Sequence, residues 1–68
     1  MQHLINRRIR LINMPNDPDP IPSGSEGTVV SVTNMGWIER GQWQLDVKWN
    51  NGRTLSLVIP PDTFEVLE

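Results

Sequence analysis

The 68-residue chain contains no cysteine, no tyrosine, one histidine and one phenylalanine. Zero cysteines exclude a disulfide scaffold and a thiolate zinc site, the usual staples of small secreted domains, and an intracellular setting fits best. His3 stands alone near a terminus expected to fray, without the partners that a general base or a metal cluster requires. No apolar run approaches the roughly 18 residues that span a bilayer. The amino terminus, MQHLINRRIRLINM, carries charges where a secretory signal needs an apolar centre, so the expectation is a cytoplasmic chain with no membrane contact. Six basic and eight acidic residues leave a net charge of −2, which rules out a uniform basic footprint for nucleic acid.

Catalytic signatures are missing as well. Ser23, Ser25, Ser31 and Ser56 have no nucleophile motif around them, and Gly24-Ser25-Glu26-Gly27 lacks the Lys-Ser/Thr ending and following helix of a phosphate loop. Asn16, Asp17 and Asp19 carry oxygen ligands, but the intervening prolines prevent the compact loop of an EF-hand, and solvated loop residues are the simpler reading. The expectation is a protein without enzymatic activity, metal or cofactor.

The positive signal is strand alternation. In Gln42 to Ile59, QWQLDVKWNNGRTLSLVI, the apolar residues Trp43, Leu45, Val47 and Trp49 take every second position, and Leu55, Leu57 and Ile59 repeat the pattern. Successive strand side chains point to opposite faces, so one face is dry and the other wet. Val58 is the one mismatch. Asn51-Gly52 between the two runs predicts a hairpin closed by a type I′ turn, because both residues tolerate positive φ. A helix would scatter the same residues around its circumference.

Elsewhere, RRIRLINM at 7–14 reads as a strand with Ile9 and Leu11 on one face, and TVVSVT at 28–33 as a second strand rich in β-branched residues. Between them Pro15, Pro18, Pro20 and Pro22 exclude helix interior and central strand, leaving a stiff loop. Asn34-Met35-Gly36 and Glu39-Arg40-Gly41 both suit the turn to the third strand; if strands run through Trp37 and Ile38, the second is used and the hairpin is long. Pro60-Pro61-Asp62-Thr63 ends the fourth strand before a short closing strand at Phe64 to Val66. The predicted core is Ile9, Leu11, Val30, Val32, Trp43, Leu45, Val47, Trp49, Leu55, Leu57, Ile59, Phe64 and Val66. These elements describe one domain over residues 1–68, all-β, a five-stranded antiparallel SH3-like barrel with a long Pro-rich first loop. A chain this short hides only about 60% of its unfolded surface, so self-association into a homo-oligomer would help it.

RIRLINM at 8–14, DPDPIPSGSEGTV at 17–29, VKWNNGRTLSL at 47–57 and DTFEVL at 62–67, in that order, resemble a family of small uncharacterised phage and bacterial proteins, a domain of unknown function. The resemblance implies an SH3-like barrel and often a mobile-element origin, hence a host cytoplasm; it implies no activity and no catalytic residues. WIERGQWQL at 37–45 departs from the family pattern in being longer and richer in Trp.

Three functional readings follow. The first is a non-enzymatic binding module recognising a protein partner through the loop residues Asn16, Asp17 and Asp19 together with Trp37 and Ile38. A loop pre-stiffened by proline loses less entropy on binding, and aromatic residues dominate interface energetics. Trp43 and Trp49 follow the buried alternation, whereas Trp37 lies outside it. The second is nucleic-acid binding through Arg7, Arg8 and Arg10, with Lys48 and Arg53 nearby, which needs these charges to converge with an aromatic platform. The third is a small-molecule, nucleotide-like binder, an oligomer with sites between subunits, because one small barrel has little interior room.

Overall fold

The computed structural model describes residues 2–38 and 40–67. Its five strands are β1 (Arg8–Asn13), β2 (Glu26–Asn34), β3 (Trp43–Trp49), β4 (Leu57–Ile59) and β5 (Thr63–Val66), preceded by one 3-10 turn, Gln2–Leu4. They form a single antiparallel sheet in the order β4-β3-β2-β1-β5, so β1 to β4 meander and β5 returns to the free side of β1. The all-β expectation holds, and the arrangement is that of a small barrel-like sheet. Among the described residues no helix is long and apolar enough to cross a membrane.

Alternation builds the core as expected on β1 and β3. Ile9, Leu11, Leu45, Val47, Trp49 and Leu57 are buried, with Trp43, Leu55, Ile59, Val32 and Phe64 packed against them. The Trp49 indole N–H, which must find an acceptor once buried, donates to the Leu55 carbonyl at 2.7 Å.

The hairpin itself forms, but its turn is not type I′. Asn51 lacks the positive φ that such a turn demands; only Gly52 has it, at 84°. Gly52 N–H donates to the Trp49 carbonyl at 3.1 Å, closing a turn around Asn50 and Asn51 with the glycine in the left-handed position after it. Register explains the choice. A two-residue Asn51-Gly52 loop would set Asn50 opposite Arg53 and, counting back, Leu45 opposite Val58. The observed pairing is one residue away, Leu45 with Leu57 and Trp43 with Ile59, which matches apolar faces. Residues 53–56 then lie outside any strand, so β4 is shorter than the alternation suggested.

β2 also corrects the expected core. Val29 pairs with Val47 and Ser31 with Asp46, leaving Val30 as the extra residue of a β-bulge. The bulge shifts the alternation by one, so Val29 is fully buried and Val30 is 52% exposed. Val66 is the second correction: it pairs with Ile9, but on the edge strand β5 it has no further strand beside it and is 47% exposed. Leu4, Met14 and Ile21 take up the core positions that strand alternation alone did not supply. The amino terminus is accordingly tied down rather than frayed, with Asn6 N–H donating to the Val29 carbonyl and Val29 N–H to the Arg7 carbonyl.

Gly27 of β2 packs directly against β3. A Cβ there would lie 2.7 Å from Val47 Cγ1 and 2.8 Å from the Lys48 carbonyl oxygen. Glycine is required by proximity, not by backbone angle.

β2 ends at Asn34 and β3 starts at Trp43, so both candidate turns lie in one β2–β3 loop and the long hairpin through Trp37 and Ile38 does not form. Glu39, part of the second candidate turn, is outside the described residues, as are Met1 and Glu68 at the ends of the expected domain.

Candidate functional site

The Pro-rich β1–β2 loop is folded onto the sheet. Ile21, between two prolines, plugs into the core, and Gly24 N–H and the Ser25 carbonyl bond back to Leu11. Toward the tip, Asp17 Oδ1 accepts the Asp19 N–H at 2.8 Å, an Asx turn that fixes the local backbone. Arg53 Nη2 donates to the Asp19 carbonyl at 2.9 Å and lies 3.5 Å from its carboxylate, linking the loop to the β3–β4 turn. The link is exposed and contributes only about 0.2 to 1 kcal/mol.

Across from this loop stands the β4–β5 turn. Asp62 is 7% exposed, and its Oδ2 accepts the Val58 N–H at 2.9 Å while its own N–H donates to the Val58 carbonyl at 3.0 Å. A groove of about 550 Å³ lies between, with Asn16 and Asp17 on the loop side and Val58, Pro61 and Asp62 on the turn side. Gln44, Thr54, Leu55 and Ser56 complete it. Val58, the one residue that broke the hairpin alternation, is therefore an apolar side chain on the groove wall, and its mismatch was the available sequence signal for this site.

Next to the groove the polar face of the sheet is organised by Asp46. It accepts Ser31 Oγ from β2 at 2.5 Å, Ser56 Oγ at 2.5 Å and Gln44 Nε2 at 3.0 Å. These bonds, Ser31 first and then Ser56 and Gln44, hold its carboxyl below the usual aspartate range. A smaller groove of about 350 Å³ opens on this face, where Val30 and Lys48 flank Asp46.

The β2–β3 loop presents the most exposed apolar side chains of the described residues, Trp37 at 79% and Ile38 at 58%. Its backbone is not slack: Met35 N–H donates to Gln42 O, Ile38 N–H to Met35 O, and Gly36 N–H to Asn34 Oδ1, all between 2.8 and 2.9 Å. At its base, Gln42 Nε2 donates to the Pro60 carbonyl at 3.3 Å. The β4–β5 turn thus touches the Trp37 loop through Pro60 and the groove through Pro61 and Asp62.

The cations are distributed differently. Arg8, Thr28 and Lys48 fall in one row across three strands, and Arg10 with Glu26 lies in the next. Arg8 is 3.4 Å from Glu26, and Arg10 is 2.7 Å from Glu65 and 3.6 Å from Glu26. The hydrogen bond that Arg10 donates to Glu65, chiefly, raises the pKa of its guanidinium further. Arg7 and Lys48 are exposed and form no ion pair with a described residue, and Arg53 lies apart on Asp19. The sheet therefore brings Arg8, Arg10 and Lys48 onto one face but interleaves them with carboxylates. Trp37 lies beyond the opposite end of β2.

Among the described residues no group of three or more metal-ligating side chains occurs. The model of the family described as Domain of unknown function (DUF4314) matches residues 5–67, nearly the whole chain. The chain belongs to that family. The match takes in all five strands, the groove and the Trp37 loop, so the Trp-rich 37–45 segment lies within the family's span. No curated protein and no solved structure matches the chain.

Proposed function

We propose that the chain is a non-enzymatic binding module that recognises a protein partner through the groove beside the β1–β2 loop and the Trp37–Ile38 tip. The observation that carries this reading is the 79% exposure of Trp37, next to an exposed isoleucine on a loop braced by backbone hydrogen bonds. Tryptophan is enriched among residues that dominate interface energy, and a braced loop loses little freedom on association. The β4–β5 turn meets the base of the Trp37 loop through Pro60 and lines the groove through Pro61 and Asp62. Asn16 and Asp17 line the groove, whereas Asp19 serves as the anchor for Arg53.

The meander closed by β5 on β1, the long first loop and the short turn before the last strand support an SH3-like barrel. The cysteine-free composition and the phage and bacterial resemblance support a host or bacterial cytoplasm. Nucleic-acid binding is the second reading, favoured by the common face of Arg8, Arg10 and Lys48; Glu26 and Glu65 between them make it the weaker one.

Affinity capture from the host with wild-type and Trp37→Ala baits tests the proposal. The expected result is a protein, retained after nuclease treatment, that the variant loses. Equal recovery by both baits, or loss on nuclease treatment, would overturn it.

A further inference from the structure

The groove has a charge asymmetry that the loop sequence alone did not show. Asp17 stands on the loop side and Asp62 on the turn side, while among the described residues no lysine, arginine or histidine lines it. Arg53, next in the chain to the lining residue Thr54, is itself engaged by the Asp19 carbonyl and carboxylate. Asp62 has one carboxylate oxygen committed to the Val58 N–H, and Asp17 has one committed to the Asp19 N–H, so each carboxylate retains further acceptor capacity. Leu55, Val58 and Pro61 supply the apolar part of the same lining.

We infer that this groove receives an arginine or lysine side chain from an extended segment of the protein partner. The segment's aliphatic stem lies against Leu55, Val58 and Pro61 and its charged head reaches Asp17 and Asp62. Long cationic side chains have this division, an apolar stem that packs and a terminal charge that seeks an acceptor. A neutral or acidic segment would lose the charge match and leave the carboxylates facing like charge or apolar atoms. The inference rests on the protein-binding reading and names the chemistry of the partner's contact.

Isotopically labelled protein titrated with an acetylated, amidated hexapeptide of arginine, alanine and leucine tests it, with a glutamine-for-arginine analogue as control. The arginine peptide is expected to shift the amide resonances of Asn16, Asp17, Ser56 and Asp62, and the analogue to bind measurably more weakly. Asp17→Asn keeps the side-chain oxygen that caps Asp19 and is expected to weaken binding about two- to fivefold, the range of an exposed ion pair. Thr54→Lys, which adds a cation to the lining without removing an acid, is expected to weaken it as well. Raising the salt concentration must reduce the affinity of the wild type.

Shifts of equal size with the glutamine peptide, unchanged affinity in both variants, or no shift at the groove would overturn the inference. So would a single-stranded oligonucleotide that shifts the same resonances more strongly than the peptide. If Trp37-dependent capture of a partner persists while the groove ignores the arginine peptide, only this inference falls. If the groove takes the peptide while capture is independent of Trp37, the protein-binding reading of the tip falls instead.

Discussion

Gly27→Ala measures the close packing of β2 on β3. The new methyl would meet Val47 Cγ1 at 2.7 Å and the Lys48 carbonyl oxygen at 2.8 Å, with Trp49 Cα at 3.1 Å. Val47 is buried and short, and the other two atoms are backbone, so the strain cannot be relieved by swinging a flexible side chain aside. Forcing one extra carbon into such a site costs about 1 to 3 kcal/mol. An opposing effect is worth about 0.4 to 1 kcal/mol, because alanine restricts the unfolded chain at a position whose φ it can adopt. At mid-range the clash, about 2 kcal/mol, exceeds the opposing effect, about 0.7 kcal/mol, leaving a net loss of roughly 1.3 kcal/mol. For a domain of this size that lowers Tm by about 5 to 10 °C, since each kcal/mol shifts it by about 4 to 8 °C. Thermal unfolding followed by circular dichroism reads the change directly. A Gly27→Ala protein as stable as wild type, or more so, would refute the described packing of Gly27 against Val47 and Lys48.

The bulge in β2 predicts opposite outcomes for adjacent valines: Val29→Ala removes a fully buried side chain and costs on the order of 1 to 3 kcal/mol, whereas Val30→Ala stays within about 0.5 kcal/mol in a urea titration. Asp46 predicts a pH dependence. Its folded-state pKa is depressed, so its contribution is present above the unfolded value, near 3.8, and is lost as the pH falls through the lower folded value. Asp46→Asn should therefore cost about 1 kcal/mol at pH 7, discounted for its partial exposure, and progressively less below about pH 4. Unfolding curves of wild type and variant that stay parallel across this range would contradict that assignment.

Strand content was legible because alternation is a backbone property: Trp43, Leu45, Val47 and Trp49 can share a face only in an extended chain. Turn geometry was less so. Asn-Gly suits a two-residue turn, yet the apolar match of Leu45 with Leu57 is worth more than the local preference, and the loop adjusts to it. Val29 and Val30 are both β-branched, so nothing local distinguishes the buried valine from the bulged one. Ile21 was hidden by its prolines, which announce a loop but not that one side chain in it reaches the core.

The candidate site shows the same division. Asn16 and Asp17 were readable as loop residues, Trp37 was open between strand and turn, and its exposure agrees with its place outside the alternation. Asp62 and Pro61 were read as a strand break, because their role depends on β5 returning beside β1 and turning them toward the first loop. The arginines near the amino terminus looked like a patch in one dimension. In the sheet, Glu26 and Glu65 come between them from strands distant in sequence.

The most direct test of the binding-module account is the chemical-shift footprint of the captured partner, once purified, on the isotopically labelled chain. The account predicts that the Trp37 indole and the amides of Asn16, Asp17 and Asp62 shift together while those of Arg8, Arg10 and Lys48 stay in place. A footprint centred on the Arg8, Arg10 and Lys48 face, with Trp37 unchanged, would contradict it.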